Sequence, residues 1–206
     1  MQRVPKKKTV KRRDGVATRQ AILESAMLEF TRSGYDGVGV REIAQGAGVT
    51  AMLVNRYFGS KEELFSEAVE VILSRRGVLA EEIGRPDRDL ASFGRNVAQA
   101  FVALTAPNAD IPDGILVMLR SAANERAAGI LRKKVEVHFE RRLADILPGP
   151  RAKERAAMIL CVLAGFKVMR QVFGVKSLVQ ADVAHLRADL ASLLQHLAEP
   201  PRDLTR

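Results

Sequence analysis

The stretch Val40–Leu64, "VREIAQGAGVTAMLVNRYFGSKEEL", holds two short helical patterns with a glycine between them and almost no room to turn. Ile43, Ala44 and Ala47 are apolar or small, so two helices can cross closely there. Gly48 can take the positive φ that so short a turn requires. Val49, Val54 and Phe58 are spaced to point inward, against Ile22, Ala26 and Phe30 of a preceding helix. With those positions buried, Met52, Asn55 and Arg56 share the opposite face. Helix, glycine turn, helix at this spacing is a helix-turn-helix. A donor-rich face held out from a rigid three-helix base suits a DNA major groove.

Working outward, every other pattern is also helical, and β-branched runs of period two are absent. Ile22, Leu23, Ala26, Met27 and Phe30 form a stripe at spacings of three and four, which predicts a helix over Thr18–Ser33, closed by Gly34. Helices follow over Val40–Gln45 and over Thr50–Phe58, with Thr50 as N-cap. Ser60 and Glu63 make a capping box that opens a further helix reaching Ile83. After the break "GRPDRD" (84–89), helices are expected over Leu90–Leu104, Gly114–Ala123, Ala127–Leu147, Ala152–Phe173 and Val183–Leu197. "APNADIPDG" (106–114) and "PGP" (148–150) read as loops. The expected fold class is all-α: a three-helix helix-turn-helix DNA-binding domain at 16–62 and a larger helical domain at 63–206, which the family resemblance given below implies is a ligand-binding and dimerisation domain.

The net charge of +9 over 206 residues is unevenly placed. Arg3, Lys6, Lys7, Lys8, Lys11, Arg12 and Arg13 crowd the N-terminus with no acid among them. Residues 1–15 therefore read as a basic, disordered arm, of the kind that binds polyanions or is merely solvated. No apolar run approaches the ~20 residues that span a bilayer, and no apolar stretch follows the basic start as in a secretory signal. The expected location is the cytoplasm, with no membrane partner. Cys161 lies in the longest apolar run, Ala156–Phe166, and is expected to be a core thiol.

Residues 17–64 resemble the DNA-binding domain of the tetracycline-repressor (TetR) family. The resemblance rests on Ile22-Leu23, on Phe30 through Gly34-Tyr35, on the Ile43–Val49 block, and on Phe58, Lys61 and Leu64. It implies roles. Lys61 and Thr50 would contact phosphate, Tyr57 the DNA backbone, and Arg41 and Thr18 a phosphate or a base edge. Two positions depart from the family pattern: Asn55 stands where a tyrosine is usual, and Gly39 where a Ser or Thr often caps the second helix. Ala51, Met52 and Leu53 make the reading surface unusually apolar, which points to thymine-methyl contacts beside Arg56.

By the same resemblance, the larger domain would hold a small, largely apolar effector. Phe93, Phe101, Met118, Phe139, Phe166, Met169 and Phe173 are candidates to line its site, with plain core packing as the other reading. Arg120, His138 and Arg170 are the polar candidates. Lys167 and Arg170 interrupt an apolar helix, either to meet an anion or to pair with acids and solvent. His138, His185 and His196 show no metal spacing, no Gly-rich phosphate loop is present, and no enzyme constellation appears, so neither cofactor nor catalysis is expected. The expected partners are double-stranded DNA, a second copy of the chain and the effector. The competing readings are a ligand-independent architectural DNA binder, in which the larger domain serves only to dimerise, and an all-helical enzyme or scaffold that uses the motif for packing.

Overall fold

The computed structural model describes residues 7–74, 78–84, 89–109 and 113–200, with side chains from residue 15 onward. The described residues are helical and carry no strand, so the protein is all-α. The helices are α1 (Lys7–Ser33), α2 (Val40–Gly46), α3 (Ala51–Phe58), α4 (Lys61–Ser74), α5 (Val78–Gly84), α6 (Phe93–Leu104), α7 (Asp113–Ser121), α8 (Glu125–Val135), α9 (Arg141–Ala144), α10 (Ala152–Lys167), α11 (Lys176–Val179) and α12 (Val183–Ala198). They form two compact units: residues 1–73 with 116–132, and residues 74–115 with 133–206.

The first unit is built on α1. Ile22, Ala26 and Phe30 are fully buried, and Ile43, Ala44, Val54 and Phe58 close over them from α2 and α3. Phe65 of α4 meets the Phe30 ring edge-on at 5.0 Å, and Tyr35 meets Phe65 at the same distance. Edge-on ring pairs of this kind add to the burial term. Ser25 donates from α1 to the carbonyl of Ile43 at 2.9 Å, which fixes α2 against α1.

In the second unit α6 and α12 pack face to face. Gly94 allows the approach, because a Cβ there would lie 2.4 Å from the carbonyl oxygen of Ala191. The Gly94 amide donates to Gln195 Oε1 at 3.0 Å, and Gln195 Nε2 donates to the Leu90 carbonyl at 2.9 Å. Phe93, Val97, Leu143, Ile159 and Leu194 are buried in this core.

Several expectations are corrected. α1 is helical from Lys7, not from Thr18, so residues 7–15 belong to a helix and not to a disordered arm. Lys and Arg are good helix formers, no proline follows Pro5 in that stretch, and α1 runs through its one glycine, Gly15. The rest of the arm, 1–6, lies outside the described residues, as does the junction 75–77 of the helix expected to reach Ile83. The Ala127–Leu147 helix is one path with a π-helical turn, Glu136–Glu140, between α8 and α9. α10 likewise continues through a π-helical turn, Val168–Val172. The short α11 falls between the expected helices Ala152–Phe173 and Val183–Leu197. Cys161 is exposed, not in the core. Ala156, Ile159 and Leu163 take the buried face of α10, and Cys161 stands away from it with the exposed Met158.

Candidate nucleic-acid interface

α3 is positioned by short-range chemistry. At its start the Thr50 hydroxyl accepts from the Leu53 amide at 3.4 Å, and Thr50 is the N-cap of α3. Before it, Gly48 sits at φ 66 and donates to the Gln45 carbonyl at 3.1 Å, while Val49 donates to Ala44 at 2.9 Å. This left-handed residue lets α3 turn back across α2 within so few residues. α2 has only half a capping box: the Glu42 carboxylate accepts from the Gly39 amide at 3.0 Å, but Gly39 has no side chain to reciprocate. At α4 the box is complete, with Ser60 and Glu63 each accepting the other's amide at 3.1 Å.

Val54 and Phe58 turn inward, which leaves Met52, Asn55 and Arg56 exposed on the outer face of α3. Met52 is 80% exposed, which is uncommon for so apolar a side chain. Arg41 and Thr50 are exposed, while Ala51, Tyr57, Lys61 and Thr18 are half-buried. Lys61 Nζ lies 4.4 Å from the centroid of the Tyr35 ring, a cation–π contact that holds the ammonium at the start of α4. Gly15 of α1 is near Tyr57, because a Cβ there would lie 3.4 Å from the Tyr57 hydroxyl. Arg19 stacks on Phe58 at 4.5 Å and pairs with Glu67 at 2.7 Å, linking α1, α3 and α4.

The residues from α7 and α8 in this unit were not legible from local pattern. Arg120 donates to the Thr31 carbonyl at 2.5 Å, and the Tyr35 amide donates to Ser121 Oγ at 3.0 Å. Asn124 donates to Asp36 at 2.9 Å, and Arg126 to Glu62 at 3.1 Å. The Glu62 backbone, the Arg126 guanidinium and the Tyr35 hydroxyl hold the Glu62 carboxyl below its ordinary range. Burial and the Glu62 charge push the Tyr35 phenol up to about 12. Each contact joins residues far apart in sequence, so no spacing rule reaches it.

The candidate effector residues divide. Met118 and Arg120 belong to the first unit, where Arg120 is committed to α1. In the second unit Phe101, Phe139 and Phe166 pack against the core that buries Phe93, and His138 adjoins Phe139 at 6.3 Å. Arg170 is buried beside the end of α6. Met169 and Phe173 are 46% and 67% exposed and do not join that core.

A trihelical base that presents α3 with its polar face outward defines a helix-turn-helix DNA-binding transcriptional regulator. Comparison with known proteins places it more closely. Residues 22–68 match "Bacterial regulatory proteins, tetR family", and residues 91–197 match "Tetracyclin repressor-like, C-terminal domain". The chain belongs to the TetR family of transcriptional regulators, whose members bind DNA and are not enzymes.

Among curated relatives it is similar to the HTH-type transcriptional repressor SCO4008 of Streptomyces coelicolor, 40% identical over 58 residues, 28% of this chain and 30% of that one. It is also similar to the regulatory protein RaaS of Mycobacterium tuberculosis, 56% identical over 43 residues, 21% of this chain and 20% of that one. The matches span less than a third of each relative. Over nearly the whole chain it resembles the crystal structure of a TetR-family regulator from Streptomyces coelicolor, at 28% identity and TM-score 0.62, covering 96% of this chain and 99% of that one. Among the described residues no helix is long and apolar enough to cross a membrane, and no His, Cys, Asp and Glu group could hold a metal.

Proposed function

We propose that this protein is a cytoplasmic homodimeric repressor that leaves a palindromic operator when a small, largely apolar effector binds its larger helical domain. The observation that carries the reading is the outer face of α3, where Met52, Asn55 and Arg56 stand exposed on a base fixed from behind by Val54 and Phe58. One such helix covers a half-site, and a two-fold dimer reads a palindrome. Residues 16–62 would bind DNA and residues 63–206 would bind effector and dimerise. α10 and α12 supply apolar surface for a second copy, with Met158 51%, Leu193 56% and Val183 42% exposed. The relative SCO4008 is named a repressor, which favours that sign of regulation. Effector binding would act by population shift, with coupling of ~1–3 kcal/mol typical of such systems.

The test is a gel-shift titration with DNA from upstream of the protein's own gene, against scrambled competitor at fixed salt. It is run with the full chain and with residues 1–13 removed. Specific binding by the shortened chain supports the reading. Binding no tighter than to competitor would favour an architectural DNA binder.

A further inference from the structure

Two cations at the end of α10 are set among aromatic rings. Lys167 is half-buried, with Nζ 5.1 Å from the centroid of the Phe101 ring. Arg170 is only 3% exposed, and its Cζ lies 5.8 Å from the centroid of the Phe166 ring. The two rings are 6.2 Å apart, so all four side chains form one cluster. Neither cation pairs with a carboxylate among the described residues.

Arg170 has a structural duty on one side. Its Nη1 donates to the Val102 carbonyl at 2.9 Å and to Thr105 Oγ1 at 3.3 Å, which closes the carbonyl end of α6. A cation there also meets the negative end of the helix dipole. That duty leaves Nε, which is buried with no acceptor among the described residues. Lys167 has no comparable duty. Burial lowers the affinity of both groups for their protons, so the site works against its own charges. A buried charge without a partner is costly, and the cost falls when an anion enters.

We propose that Lys167 and Arg170 bind the anionic head of an amphipathic carboxylate, whose aromatic or alkyl body lies on the Phe101 and Phe166 rings. The ammonium and the free Nε supply charge-assisted hydrogen bonds, and the rings supply apolar contact. This rests on the effector-responsive reading above and gives that effector a charge.

The test measures binding of decanoate and 4-phenylbutyrate to the full chain by calorimetry, each against its uncharged alcohol, with operator affinity measured in parallel. Both acids are expected to bind at least about tenfold tighter than their alcohols, as one charge-assisted hydrogen bond would give. K167M is expected to cut the preference for the acid about tenfold, leaving only what Arg170 supplies, and K167R to restore it. The inference is overturned if acid and alcohol bind alike, if no compound binds, or if K167M leaves the preference undiminished. It is also overturned if K167M alters sedimentation of the dimer while the preference persists, which would assign the charge to the interface between copies. Acid binding with the expected charge pattern but unchanged operator affinity would keep the inference and sink the effector-release reading. Release by acid and alcohol alike would do the reverse.

Discussion

Arg120 of α7 donates to the carbonyl of Thr31, 2.5 Å away, in the last turn of α1. The final carbonyls of a helix have no partner within it, and here a guanidinium takes one of them. Immediately beyond, Gly34 sits at φ 73, and a Cβ there would lie 2.2 Å from the carbonyl oxygen of Arg120. The corner between α1 and α2 is thus moulded to the backbone of α7.

Gly34→Ala is the sharpest test of that fit. The substitution meets both a left-handed φ and a backbone oxygen that no rotamer change can move. A loss of about 2–4 kcal/mol is expected from strain and overpacking together. Urea unfolding should show a lower midpoint with an unchanged slope. A midpoint within error of the parent would mean that α7 does not hold this corner in solution.

Tyr35 gives a pH dependence with a definite sign. Its phenol is pushed from 10.0 to about 12 by burial and by the Glu62 carboxylate, so the folded protein holds the proton more tightly than the unfolded chain. The resulting stability is fully present below pH 10 and is lost as pH rises toward about 12. Across that window the protein should lose about 2–3 kcal/mol relative to Tyr35→Phe. Parallel alkaline denaturation curves for the two proteins would contradict this.

The helix-turn-helix was legible because everything that makes it is local. Thr50 caps a helix that begins one residue later, Gly48 needs a positive φ whatever surrounds it, and Ser60 and Glu63 lie three residues apart. The failures share a different cause. Cys161 stands in an apolar run, yet the run is longer than one buried face can use, and Ile159 and Leu163 take that face. The π-helical turns after Val135 and Lys167 leave no mark on composition. The contact that ties Arg120 to α1 is invisible locally for the same reason, since it reaches across 89 residues.

Arg155 is a second case that only the fold reveals. It is 6% exposed and donates to the carbonyls of Leu197, Ala198 and Glu199 at 3.3, 3.1 and 2.9 Å, and to that of Pro148. It therefore ties the end of α12 to the loop before α10. Arg155→Met keeps the apolar stem but strands those carbonyls, at a cost of about 2–4 kcal/mol. Amide exchange should quicken over residues 190–198 first, and uniform exchange would count against a local role.

The proposed DNA contacts separate into two kinds that salt can tell apart. Lys61 is held over the Tyr35 ring at the head of α4, and its proposed role is a phosphate contact. Lys61→Ala should weaken binding to every sequence alike and reduce the slope of log K against log salt by about 1. Met52 carries no charge and is the most exposed large apolar residue among the described residues. Met52→Ala should leave the salt slope unchanged while altering preference at one base pair, by about 1 kcal/mol if a thymine methyl is lost. The measurement is a salt titration of operator affinity for both variants, repeated on operators changed one pair at a time. Equal losses on all operators for Met52→Ala would move that residue from reading to packing.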